Sequence, residues 1–487
     1  MKVGAEVSKR FVANVFGTVA GFAGTVYFTQ ELGAPGLGVY AIFTSFQMAM
    51  ATLVTFGLFS AVTKRVSEGE NQAKHFTSGV LIVLVGTTLS AVAFAAAAPL
   101  VNGILDVEAA LLVPLGVLSW SLMRLTGAFL EGKGRVALAG FLENGRYVVI
   151  VGIQTALLLA GHGVYALLWG LVLGQLTTFL VAYLGYARVI PAFPSTELVG
   201  DFLAFSKYTY VQSLGSQLFK QADYIVLGQL FGTGAAGLYK ISFTLTEAAM
   251  LFSSALSNVS YPEFSRLEAN DRTERIRELL AKSVTYAGLF AIPALGGGLV
   301  VGNDLLRVVY GVNAGVVSLG GLGVVGVGNL LIAVLALANL SNGYRSVLES
   351  YFLGTNRPRI SALSSVVLIA TYAVLVVPLA VAGGPIGLGV VTTVSFGGSC
   401  LFLWRKLDYR PAREVAKDIG SQLAATVAMM AVVAALYAVL GGVSGPLSLC
   451  LLLGVGGVAY FASLLVVNGR LRNDAWWVVR DLTGEMR

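Results

Sequence analysis

Two consecutive apolar stretches, 205–231 and 235–260, carry ionisable side chains that a lipid-facing helix would not carry. The first holds Lys220 and Asp223; the second holds Lys240 and Glu247. With ~100° per residue, Ser213, Ser216, Gln217, Lys220, Asp223 and Tyr224 share one side of the first helix. Lys240, Thr244, Glu247, Ser254 and Asn258 line one side of the second. An ionisable group at mid-membrane costs about 2.5–3.5 kcal/mol on insertion scales, and usually faces a cavity or a polar partner. Two readings follow: the stripes line a translocation cavity, or the charges pair between helices and hold them together.

Three further charges lie in apolar sequence: Arg124, Arg345 and Glu349. Lys220 and Asp223 are three residues apart, and Arg345 and Glu349 four apart, so each pair can be neutralised within one helix. Lys240 sits near a helix end, from which it can snorkel. Arg124 has only Trp120, Ser121, Gly127 and Ala128 at helical neighbour positions, so no acid on its own helix pairs with it. A guanidinium presents a planar fork that suits phosphate, so Arg124 and Arg345 are candidates to meet an anionic group. The alternative is a structural charge paired to an acid elsewhere. Asp223 and Glu247 are the candidates for coupling to H+ or Na+; no other cofactor is expected.

Other pattern matches carry no chemistry. Gly127 to Lys133 reads as a phosphate loop, but Gly134 stands where a hydroxyl for Mg²⁺ is needed, and no strand precedes it. His75 and His162 are isolated, and Cys400 and Cys450 lie in apolar runs, so neither a metal site nor a disulfide framework is expected. No nucleophile–base–orienter set is present, and no enzyme is expected.

The elements that position these charges are membrane helices. Of 487 residues, 56% are hydrophobic and 12% charged, against about 25% charged in soluble chains. Hydropathy predicts fourteen spans, at about 11–30, 39–62, 77–101, 109–130, 141–160, 164–187, 205–231, 235–260, 283–301, 323–353, 360–381, 386–404, 420–440 and 447–467. Arg124, Lys220, Lys240 and Arg345 fall inside them, and Arg307 in an outer loop; the other basic residues cluster at the termini, in the even-numbered loops and at the span ends beside those loops. The positive-inside rule then places both termini in the cytoplasm of a multi-pass cell-membrane protein. The net charge of +7 is therefore a topogenic signal facing anionic lipid, and nucleic acid is not an expected partner.

The chain repeats itself. A shift of 199 residues lays "LGAPGLGVY" (32–40) on "FGTGAAGLY" (231–239), and a shift of 222 lays "LEGKGR" (130–135) on "FLGTNR" (352–357). The second shift also brings Arg124 within one position of Arg345. Six spans per repeat preserve orientation, so the expected repeats are parallel. The expected domains are an N-terminal lobe (1–187), a linker (188–204) with Pro191 and Pro194, a C-terminal lobe (205–404), and two extra helices with a tail (405–487). Loop 262–282 predicts a short amphipathic helix on the membrane surface, with Phe264, Leu267, Ile276 and Leu280 as its apolar face.

Several stretches resemble the polysaccharide-transporter branch, the O-antigen-type flippases, of the multidrug/oligosaccharidyl-lipid/polysaccharide exporter superfamily. They are "QADYIVLGQLFGTGAAGLYKISFTLTE" (221–247), "YPEFSRL" (261–267), "LLRVVYG" (305–311) and "FLGTNRPR" (352–359), in that order along the chain. The resemblance implies an all-α membrane fold with two six-helix lobes in a V around a central cavity. It implies transport of a glycan on a polyprenyl phosphate or pyrophosphate from the inner to the outer leaflet. Arg124, Lys220, Lys240 and Arg345 would then be cavity cations. Gln217, Tyr224, Thr244 and Asn258 would face sugars, and Asp223, Glu247 and Glu349 would moderate the charge or bind a coupling ion. Glycan polymerases or glycosyltransferases are the expected partners of a monomer. A cation-coupled drug exporter of the same superfamily is the rival reading, and a non-transporting scaffold for glycan assembly a third. Among these candidates, four bases against three acids speak against a cavity for cationic drugs.

Overall fold

The computed structural model describes the backbone of residues 2–55, 57–192, 196–318 and 324–473, and the side chains of 17–55, 57–192, 221–317, 324–411 and 414–473. Each of the fourteen expected spans is helical over most of its described residues. The helices are α1 (Lys2–Thr55), α2 (Leu58–Ser67), α3 (Gln72–Ala96), α4 (Ala98–Leu105), α5 (Leu112–Gly132), α6 (Val136–Leu159) and α7 (Tyr165–Leu180), with a π-helical turn at Val181–Ala187. They continue as α8 (Thr196–Ala269), α9 (Thr273–Ala287), α10 (Ala291–Tyr310), α11 (Val327–Gly354), α12 (Pro358–Arg405), α13 (Ala412–Val439) and α14 (Pro446–Val467). This is an all-α integral membrane fold. Large apolar side chains such as Leu89, Val92, Val374 and Val458 are exposed along these helices, as a lipid-facing surface requires.

Three helices each hold two expected spans, broken at one glycine. Gly33 (φ 69°, ψ −179°) breaks α1, Gly232 (φ 79°, ψ 176°) breaks α8, and Gly384 (φ 55°, ψ −136°) breaks α12. Such conformations are nearly closed to residues with a Cβ. Pro35 and Pro385 restart the helix just beyond two of the breaks, where a missing N–H costs nothing. Gly33 and Gly232 are related by the 199-residue shift and share the same backbone conformation.

Packing divides the chain into two compact units, Met1–Lys240 and Ile241–Arg487, so α8 contributes to both. In the first unit, Leu58, Val62, Val83, Leu125 and Phe129 form the core of α2, α3 and α5. In the second, Phe264, Leu267, Ile276 and Leu280 are buried with Phe352 and Leu403. The amphipathic segment expected on the membrane surface therefore turns its apolar face onto protein. The end of α8 and the start of α9 pack there as extensions of the membrane helices.

The expected tenth span also starts later than hydropathy suggests. Residues Val324–Gly326 form a strand, β2, paired antiparallel with β1 (Val316–Ser318), with Val317 opposite Val325. β-branched valines suit that short ribbon, and α11 begins only at Val327.

Within the first unit, the breaks of α1 and α8 meet at van der Waals distance. A Cβ on Gly38 would lie 1.8 Å from the Thr233 carbonyl oxygen, and one on Gly237 would lie 1.8 Å from that of Ala34. The four residues form two pairs related by the same shift of 199, so the contact is reciprocal. Gly38→Ala or Gly237→Ala is expected to destabilise the protein by about 1–3 kcal/mol, the range for overpacking. Gly103→Ala, on α4 with nothing near its Cβ position, is expected to be neutral. Thermal unfolding in detergent distinguishes the two outcomes.

Candidate functional site

Arg124 on α5 points across to α6. Its Nη1 lies 2.9 Å from Glu143 Oε2, and its guanidinium carbon is 5.7 Å from the Phe59 ring centroid. Phe59 meets Trp120 edge to face at 5.5 Å. The other oxygen of Glu143 is 3.5 Å from Arg146, whose guanidinium also donates to the Tyr147 hydroxyl at 3.1 Å. Arg124 therefore has an acid partner on the neighbouring helix. The sequence reading missed both Glu143 and Arg146, which lie inside the expected fifth span. Two guanidinium groups share one carboxylate, leaving a net positive cluster that is 13–34% exposed.

The break at Gly232 folds the two halves of α8 back on each other and joins residues far apart in sequence. The Tyr239 hydroxyl donates to buried Asp223 at 2.7 Å. Tyr224 and Tyr239 are in edge-to-face contact at 5.8 Å, and the Lys240 ammonium lies 5.8 Å from the Tyr224 ring centroid. Next to the break, the Thr233 hydroxyl donates to Asp106 at 3.1 Å. Asp223, Tyr224 and Lys240 thus form one cluster, and Tyr239 is a member that the polar stripes did not include. Gln217 and Lys220 lie outside the described side chains.

In the second unit, Arg345 and Glu349 pair at 2.8 Å along α11, as their spacing predicts. Arg345 also donates to Ser399 at 3.2 Å and to the Asn342 side-chain oxygen Oδ1 at 3.4 Å. Ser364 donates to Glu349 at 3.3 Å, so the pair ties α11 to α12. Glu247 and Asn258 are exposed on α8, and Thr244 is half-buried. The opposite face of α8 carries a buried hydroxyl seam. Thr246 accepts from Asn339 at 2.9 Å, Ser253 donates to the Ala287 carbonyl at 2.8 Å, and Ser257 meets Ser350 at 2.6 Å. Small hydroxyl residues at helical spacing in an apolar span were the available signal. The expected stripe of α8 therefore lies on the side turned away from this packing. Among the described residues, no group of three or more His, Cys, Asp or Glu is placed to hold a metal ion.

Arg345 and Glu349 are 12% and 20% exposed, so removing one partner strands the other in a poorly hydrated setting. Glu349→Ala is expected to cost about 2 kcal/mol, and the double change Arg345→Met with Glu349→Met to recover most of it. Thermal unfolding of the single and double variants measures both.

Comparison with known proteins places this arrangement. The family model described as "Polysaccharide biosynthesis protein" matches residues 32–313. A probable low-salt glycan biosynthesis flippase of Haloferax volcanii, Agl15, is 26% identical over 390 residues, covering 80% of each chain. A probable flippase of the same organism, AglR, is 24% identical over 482 residues, covering 98% of each. Among solved structures, the lipid II flippase MurJ in an inward closed conformation superposes with a TM-score of 0.76 at 16% identity, covering 94% of this chain and 98% of that one. An inward-facing multidrug resistance MATE family transporter superposes with a TM-score of 0.61 at 14% identity, covering 85% and 99%. These two share the fold. Since the family model spans more than half of its length, the chain belongs to the polysaccharide biosynthesis protein family.

Proposed function

We propose that the chain is a flippase, moving a lipid-linked oligosaccharide from the inner to the outer leaflet for cell-surface glycan assembly. The observation that carries this reading is the Arg124–Glu143–Arg146 cluster. Two guanidinium groups sharing one carboxylate keep a net positive charge inside membrane-spanning helices. That suits a polyprenyl phosphate or pyrophosphate, whose charge would compete with Glu143 for both arginines. The names of the two Haloferax relatives, a glycan biosynthesis flippase and a flippase, support the same reading.

In this reading the residues before and after the 188–204 linker form two lobes that rock about the substrate while its lipid tail stays in the bilayer. Lys220 and Lys240 add positive charge to the cavity, Arg345 stays neutralised by Glu349, and Gln217, Tyr224, Thr244 and Asn258 contact the sugars. Asp223, already bonded to Tyr239, and exposed Glu247 are the groups for H+ or Na+ coupling. Both termini lie in the cytoplasm of the cell membrane, by the distribution of Lys and Arg. The α1–α8 contact then lies on the outer side and must part for the headgroup to leave. The protein acts as a monomer beside glycosyltransferases or a glycan polymerase and catalyses no covalent step.

Proteoliposomes carrying a fluorescent polyprenyl-diphosphate oligosaccharide test this directly. Wild type is expected to move the glycolipid between leaflets, and Arg124→Ala and Lys220→Ala to lose that movement. Efflux of a cationic dye without glycolipid movement would favour the drug-exporter reading. A second prediction concerns the competing carboxylate: Glu143→Gln is expected to bind inorganic pyrophosphate several-fold more tightly than wild type, measured by calorimetry. Unchanged affinity would remove Arg124 and Arg146 from the anion site.

A further inference from the structure

A second polar site lies in the other unit. The ends of α10, α11 and α13, with the β1–β2 ribbon, line an open cavity of about 410 Å³, within the ~300–1,000 Å³ usual for small-molecule sites. Its walls carry Asn303, Asn313, Asn329, Asp304, Arg307 and Tyr437.

Hydrogen bonds fix this lining in advance. The Asn303 amide donates to the Gly315 carbonyl at 3.1 Å, and its oxygen accepts from the Gly328 N–H at 2.7 Å. Asn329 accepts from the Asn303 backbone N–H at 2.5 Å and donates to the Leu299 carbonyl at 2.9 Å. A Cβ on Gly326 or Gly328 would come within 2.3 or 2.5 Å of the Asn303 side chain, so both glycines leave room for that amide. A primary amide has two N–H donors and two lone pairs. Asn303 and Asn329 each therefore keep one donor and one acceptor for a ligand. Asn313 is exposed, and its side chain bonds to nothing else among the described residues.

Charge decides what such a cavity accepts. Asp304 is held by Arg307 at 2.6 Å, and Arg307 also donates to the Val443 carbonyl at 2.6 Å. The two charges cancel, which disfavours a phosphate or a cationic drug. Neutral donor–acceptor edges match the paired hydroxyls of a sugar, and the Tyr437 ring offers a flat wall for the C–H face of a pyranose.

We propose that this cavity is a saccharide subsite for neutral sugar units of the transported glycan. The assignment of its occupant rests on the flippase reading. By the expected orientation, with the Arg307 loop outside, the cavity opens on the outer face. It takes hold of the glycan there, while the arginine cluster handles the phosphate.

The test uses the full chain in nanodiscs and the water-soluble oligosaccharide released by mild acid from the host's own lipid-linked glycan. Saturation-transfer NMR is expected to show binding to wild type, and at least tenfold weaker binding to Asn313→Ala and Tyr437→Ala. Thermal unfolding checks that both variants fold. No binding to wild type, or equal binding to the folded variants, would overturn the subsite. Glycolipid translocation is measured in parallel. Binding lost in the variants but without translocation by wild type would leave the subsite standing and sink the flippase reading; translocation without binding would do the reverse.

Discussion

The reciprocal approach of the Gly38 and Gly237 backbones to two carbonyl oxygens is the constraint on which the first unit depends. With no side chain at either position, the turns of α1 and α8 can touch backbone to backbone. In lipid, where hydrophobic burial does not drive helices together, close van der Waals packing at small residues is what remains to hold them. The breaks at Gly33 and Gly232 put those turns in place. The Gly232 break also folds α8 so that Asp223, Tyr239 and Lys240 converge. One pair of glycine kinks thus sets both a packing contact and a cluster of ionisable groups.

The intramembrane charges tell a second story. Arg124 and Arg345 have each found an acid, but by different routes. Arg345 uses Glu349 one turn along its own helix, while Arg124 reaches Glu143 on the next helix. Both arrangements spare a cation from lying alone in a low-dielectric setting. They differ in balance, because Glu143 also serves Arg146. The second-unit pair is neutral and braced by Ser364 and Ser399, whereas the first-unit cluster keeps a positive charge and partial exposure. In a flippase this asymmetry would favour the first as the phosphate site.

Much of the helical framework was legible in the sequence, because ~20 apolar residues in a row have few other uses. The glycine breaks could be placed from the 199-residue repeat, and the Arg345–Glu349 pair from its spacing of four. What the sequence hid was contact between helices. The partner of Arg124 is on another helix, and helical periodicity carries no information about which helix will be the neighbour. Glu143 and Arg146, three apart inside the fifth span, were legible as a pair, whereas the Ser257–Ser350 contact between helices was hidden in the same way. Loop 262–282 misled because an amphipathic pattern describes a segment packed on protein as well as one lying on lipid. The short β1–β2 ribbon began inside what hydropathy reads as a helix, since valine serves both.

The central claim is that the α1–α8 contact must part during transport. It can be tested by tying the two turns together with Pro35→Cys and Gly234→Cys. The Cβ position of Gly234 lies 3.8 Å from the Pro35 ring, within reach of a disulfide. The native Cys400 and Cys450 would be replaced by serine. The oxidised protein is expected to stop moving glycolipid in proteoliposomes and to recover when the disulfide is reduced. Full transport with the cross-link intact would contradict the account.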